Sequence, residues 1–298
     1  MAEGKSDGNW HDKHYKVLLL IPAFLILISL IYLGISYSQT GEFFKKDITL
    51  TGGTSVTLYD GSVSSVALQE ALSDKLSDLN VRSIYDFGTN TQKALIIETP
   101  EDFDKTKSVL EEYLNYEIVQ GENADVEFTG SSLSESFYGQ LLVAILVAFL
   151  FMALVVFIIF RDFVPSAAVI LSAFADILMT LVFVDVLGIK MSTSGIVAFL
   201  MLIGYSVDTD ILLTTRILKR KEGSLNERIY GALKTGLTMT LTSLFAIGVS
   251  LLVVRSFSVV LSNIFTILVI GLGFDIINTW ITNVSLLKWH VERKENRK

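Results

Sequence analysis

Four carboxylates lie inside apolar runs of this chain, Asp176, Asp208, Asp210 and Asp275. A carboxylate at mid-membrane costs about 2.5–3.5 kcal/mol on insertion scales, so a chain that keeps four must either use them or satisfy them. A carboxyl can be neutral facing one side and ionised facing the other, and each charge crossing the bilayer yields about 2.3 kcal/mol per 100 mV. Asp208 stands ~14 residues from the outer end of its helix, about 21 Å deep. Asp208 and Asp210 project roughly 200° apart and cannot share one site. Asp176 and Asp275 approach the same cytoplasmic half. The structural alternative is that these groups are hydrogen-bonded packing residues, and Asn278 and Thr279 are natural companions for Asp275. Tyr205, Ser206, Lys234, Thr238 and Thr242 offer further polar atoms, although threonines in membrane helices most often bond back to their own backbone.

Other chemistry has little material. The three histidines, at 11, 14 and 290, fall in the terminal tails, and there is no cysteine. A histidine triad, a metal cage and a thiol nucleophile are therefore not expected. No G-x-x-x-x-G-K-[ST] sequence occurs, so energy must come from an ion gradient or a partner. We expect no enzyme, no cofactor and no metal.

The elements that position the carboxylates follow from hydropathy. With 51% hydrophobic and 18% charged residues among 298, the chain suits a membrane. Six runs reach the roughly twenty residues that a helix needs to span hydrocarbon: 17–36, 138–160, 163–187, 193–215, 235–254 and 259–287. Trp280 and Trp289 are expected to anchor the last at the interface. Residues 1–16 read as a cytoplasmic tail, 17–36 as a retained anchor in place of a signal peptide, 138–287 as a five-helix transmembrane block and 288–298 as a second cytoplasmic tail. Basic residues set this orientation. Fifteen, from Lys5 to Lys298, fall on one side, against Lys190 and Arg255 in the short loops of the other.

Residues 37–137 then form an extracytoplasmic α+β domain between the first two spans. Strand alternation over Asp47–Tyr59 is followed by a helix at Ser64–Leu79, a hairpin of Val81–Phe87 and Lys93–Thr99 around 88–92, a helix at Asp102–Leu114 and a strand at Tyr116–Val126. The order β-α-β-β-α-β is that of a ferredoxin-like unit. From Glu42 to Glu135, 18 acidic residues outnumber 7 basic ones, which argues against a nucleic-acid partner.

The motifs resemble a known family. Leu50-Thr51-Gly52-Gly53-Thr54 after the first helix, the αβ domain, the five-helix block and GYSVDTDILLTTRI at 204–217 are together similar to SecF, a subunit of the Sec protein-export machinery in the RND superfamily. In bacterial members the motif reads approximately G-Y-S-x-N-D-T, so the family's acidic position falls on Thr209, between Asp208 and Asp210. The Asp-Thr-Asp spelling and Phe274–Trp280 resemble the archaeal branch; Ala175 stands where bacteria often have histidine, and Lys234 corresponds to a basic residue near the start of the fifth helix after a one-residue shift. The resemblance implies SecD and a SecY-type translocon as partners and an exported unfolded polypeptide as client, in a multi-pass plasma or inner membrane protein. It also implies proton or ion movement through the bundle that drives the outer domain, with Asp208 and Asp210 as the principal coupling positions and Asp176 and Asp275 as polar partners. Gly52, Gly53 and Thr54 form a structural motif at the start of the outer domain, where the glycines are either a joint through which helix movement reaches it or a tight turn or bulge within the sheet. A small-molecule RND-like exporter and a noncatalytic assembly subunit are the alternatives. The exporter would need a larger outer domain.

Overall fold

The computed structural model describes residues 15–295 except 16, 87, 88, 90, 220, 221, 256 and 257. His11, His14, part of the expected hairpin turn and several of the orienting charges, among them Lys5, Lys13, Lys16 and Lys298, lie outside the described residues. Helix α1 spans Leu20–Thr40 and ends at Gly41 with φ 74°. A sheet-bearing unit follows, built from α2 (Ile48–Thr51), β1 (Gly53–Leu58), α3 (Ser65–Leu72), β2 (Asn80–Tyr85), β3 (Gln92–Thr99), α4 (Phe103–Leu114) and β4 (Ala124–Thr129). The strands lie in the order β2-β3-β1-β4, each antiparallel to its neighbour.

Local chemistry sets the boundaries of these elements. Ser64 caps α3 by accepting from the Ala67 amide, and Asp102 caps α4 by accepting from the Lys105 amide at 2.8 Å. Asn115 closes α4 in the left-handed region, φ 58°. On the core face of the sheet Val56 stands opposite Ile97 and Val126, and these pack with Leu68, Leu72 and Leu110 from the helices.

Three boundaries differ from those expected. The first strand begins at Gly53 instead of Asp47, because Asp47 accepts from the Thr49 amide at 3.0 Å and starts the one-turn α2. Helix α3 ends at Leu72, while Leu76 and Leu79 reach the same core through turns. The last strand begins at Ala124, eight residues late, because the Asn123 side chain takes up the Val119 amide and the Glu117 carbonyl and folds this stretch into a turn.

The membrane block consists of α5 (Ser131–Phe160), α6 (Phe163–Val186), α7 (Thr193–Lys219), α8 (Leu225–Val254) and α9 (Val259–Ile277). Helix α9 runs through a π-helical segment, Asn278–Asn283, into α10 (Val284–Glu295). With α1 these supply six helices long and apolar enough to cross a membrane. A reciprocal capping box, Ser224 with Glu227, opens α8. Helix α9 packs against α6, α7 and α8, and α1 packs against α6. Glycines permit the closest approaches: a Cβ on Gly271 would lie 2.5 Å from Leu202, and one on Gly236 2.5 Å from the Trp280 ring. Trp280 is therefore buried against α8 and is no interfacial anchor, whereas Trp289 is exposed, with the Arg293 guanidinium 5.2 Å from its ring centre.

The sheet unit and the membrane block are joined by more than the chain. Residues 45–47 bridge to Met191 in the α6–α7 loop, the Asp47 amide donating to the Met191 carbonyl and the Met191 amide to the Lys45 carbonyl, both at 2.8 Å. Asp185, near the end of α6, accepts from the Tyr32 hydroxyl of α1 at 2.6 Å and from the Lys45 amide at 2.8 Å. The sheet face opposite the helices, with Ser55, Thr57, Glu98, Asp125 and Glu127, lines a cavity of about 390 Å³ whose far wall holds Ser192, Thr193 and Asn263 of the membrane block. Within it Glu98 pairs with Arg82; burial pushes its carboxyl above the ordinary range, against the pull of the guanidinium.

Candidate functional site

Three of the four carboxylates converge. Asp176 of α6, Asp210 of α7 and Asp275 of α9 are all fully buried, 0% exposed, in the core where these helices meet. Asp176 accepts from Ser206 Oγ at 2.5 Å and from Asn278 Nδ2 at 2.7 Å. Asp210 Oδ1 accepts from Asn283 Nδ2 at 2.7 Å, Thr279 Oγ1 at 2.9 Å and Ser172 Oγ at 3.4 Å. Thr209 Oγ1 lies 3.3 Å and Thr279 Oγ1 3.2 Å from Asp275 Oδ1. Among the described residues no Lys, Arg or His forms an ion pair with any of the three.

The π-helical segment makes this convergence possible. A π turn closes i to i+5, so residues five apart come to one side. Asn278 and Asn283 are five apart and reach Asp176 and Asp210 in turn, while Thr279 and Thr282 also face inward. Asn283, Ser172 and Thr209 were not expected as partners. For Asn283 and Ser172 the only signal in the sequence is polarity within an apolar run, which does not say which side a residue faces.

The other sequence candidates fall elsewhere. Asp208 is exposed on the outward side of α7, next to Gly204 and Tyr205 and near Met201, and among the described residues it makes no hydrogen bond. Thr238 and Thr242 are exposed and bond back to the carbonyls of Lys234 and Thr238 at 2.7 Å. Lys234 is exposed on the same helix, away from the carboxylates. Gly52 and Gly53 have φ 85° and 139°, and a Cβ on Gly53 would lie 2.3 Å from the Thr99 carbonyl oxygen. Thr54 pairs with Thr99 and donates to the Glu101 carbonyl at 2.8 Å. Sheet geometry thus requires the glycine at 53.

Residues 109–293 match the protein export membrane protein SecD/SecF C-terminal family. The protein-export membrane protein SecF of Methanocaldococcus jannaschii is 38% identical over 291 residues, 96% of this chain and 99% of that one. The chain belongs to the SecF family. SecF of Methanolacinia petrolearia is also 38% identical, over 93% of this chain and 94% of its own. Among solved structures, SecDF of Thermus thermophilus, described as a translocon-associated membrane protein, superimposes on 98% of this chain with a TM-score of 0.73 at 19% identity. This likeness shows a shared fold, and the chain spans 40% of the SecDF chain. Thr209 is buried and its hydroxyl lies beside Asp275 of α9.

Proposed function

We propose that this multi-pass membrane protein is a Sec-pathway accessory subunit that couples proton movement through its helix bundle to motion of its outer domain during protein export. Membership of the SecF family carries the export role. The coupling reading rests on one observation: three fully buried carboxyls from three helices, without a basic partner among the described residues. Such a cluster is costly as packing, because leucines would fill the space with less desolvation. It is suited to taking up and releasing protons.

The same reading places residues 37–137 outside the cytoplasm as a ferredoxin-like domain, for which the strand order β2-β3-β1-β4 is the support. Both termini, 1–16 and 288–298, are then cytoplasmic, and 138–287 is the five-helix block of an RND-type bundle. A SecD subunit is the partner; the chain's 40% span of the longer SecDF protein is consistent with a second protein supplying the rest. A SecY-type translocon and an unfolded polypeptide complete the assembly, and no catalytic or metal role is assigned. The test is export of a model secretory protein into vesicles holding the chain and its SecD. Asp210→Asn should insert normally and lose the stimulation that a proton gradient gives, because an amide keeps hydrogen bonding but cannot exchange the proton. Full stimulation in this variant and in Asp176→Asn and Asp275→Asn would leave an assembly subunit as the function.

A further inference from the structure

The hydroxyls among the carboxyls cannot satisfy every contact they make. Thr279 Oγ1 lies 2.9 Å from Asp210 Oδ1 and 3.2 Å from Asp275 Oδ1, yet a hydroxyl has one proton to donate. If both carboxyls were ionised, one contact would join two lone pairs. Thr209 repeats the problem. Its Oγ1 is 2.8 Å from the Ser206 carbonyl, which can only accept, and 3.3 and 3.4 Å from the two oxygens of Asp275. Once Thr209 donates to that carbonyl, its contact with Asp275 is filled only when Asp275 is the donor. Both inventories ask for a proton on the Asp275–Asp210 pair. The other groups facing them from the packed helices are Asp176 and Ser172 of α6, Ser206 of α7, Thr240 of α8 and Asn283, none of them cationic.

We propose that Thr279 is the bridging hydroxyl of a proton relay, and that the Asp275–Asp210 pair holds at least one proton in the arrangement seen here. The step balances without a charged intermediate on the threonine. Asp275 gives its proton to Thr279 Oγ1 while Thr279 gives its own to Asp210 Oδ1; one O–H bond breaks and one forms at the hydroxyl, Asp275 becomes the carboxylate and Asp210 the acid. Thr279 is a positioning and relay residue set by the π-helical segment, and its role rests on the coupling reading above.

Thr279→Val keeps the shape and removes the hydroxyl, and Thr279→Ser keeps the hydroxyl. In the full chain with its SecD, Thr279→Val should lower gradient-stimulated export by about tenfold or more, whereas Thr279→Ser should retain it within about twofold. Infrared spectra of the purified chain at neutral pH should show the C=O stretch of a protonated carboxylic acid, lost in Asp275→Asn and moved to higher frequency in Thr279→Val. Absence of that band from the unaltered chain would overturn the shared proton. If Asp210→Asn abolishes stimulation and Thr279→Val keeps it, the relay is wrong and coupling stands; if neither variant alters stimulation, both fall.

Discussion

Asp208 and Asp210 are two positions apart on one helix, and that spacing gives them opposite fates. Their divergence was legible in the sequence, since successive residues turn by 100°; which of them faces inward was not, because α7 has polar residues on both sides. The structure turns Asp210 into the core with Asp176 and Asp275 and leaves Asp208 on the outer surface among Gly204 and Tyr205. An exposed carboxylate at mid-bilayer is costly, so this side of α7 is where a SecD helix is expected to supply a hydrogen-bond donor or a cation. Asp208→Leu should therefore fold and insert as before but lose co-purification with SecD, and Asp208→Asn should keep most of it. Undiminished co-purification of the leucine variant would show that the partner docks elsewhere. Asp185 is 3% exposed and ties α1 and the linker to α6. Nothing local announces this, because its partners are 153 and 140 residues away.

Six membrane-crossing helices could be counted from hydropathy because no other element satisfies its backbone in hydrocarbon. The π-helical segment at Asn278–Asn283 could not, since it is held by tertiary hydrogen bonds to Asp176 and Asp210 that no local pattern encodes. Strand and helix starts in the outer unit were legible where a side-chain cap marks them, as at Ser64 and Asp102, and were misplaced where Asp47 and Asn123 divert the chain into turns. Gly52 and Gly53 admit two readings from sequence, a joint for movement or a tight turn of the sheet. The conformation of Gly53, φ 139° with the Thr99 carbonyl where a Cβ would sit, argues for a demand of the sheet itself. Gly53→Val should therefore destabilise the outer unit by about 2–3 kcal/mol or more through backbone strain and overpacking. Limited proteolysis should show that unit cleaved while the membrane block stays protected; an intact outer unit with impaired export would restore the joint.

The whole molecule places an acidic sheet unit against one end of a bundle whose centre holds the carboxyl cluster. The two are joined by the Lys45–Asp47 bridge to Met191 and by the Asp185 contacts, which tie the end of α6 and the α6–α7 loop to the chain entering β1. The proposed orientation rests on the distribution of Lys and Arg. Because the chain has no cysteine, single cysteines at Gly61 and Asn123 should react with an impermeant thiol reagent added to intact cells, and one at Gly223 should not. Labelling of Gly223 from outside would invert the topology. The claim on which the account turns is that Asp210 and its neighbours carry protons. Proton entry into vesicles holding the chain, its SecD and a translocon, followed with a trapped pH-sensitive dye while a polypeptide is being exported, tests it most directly. We predict an export-dependent proton flux that vanishes in Asp210→Asn, whereas an equal flux in that variant, or none in the unaltered chain, would contradict the coupling.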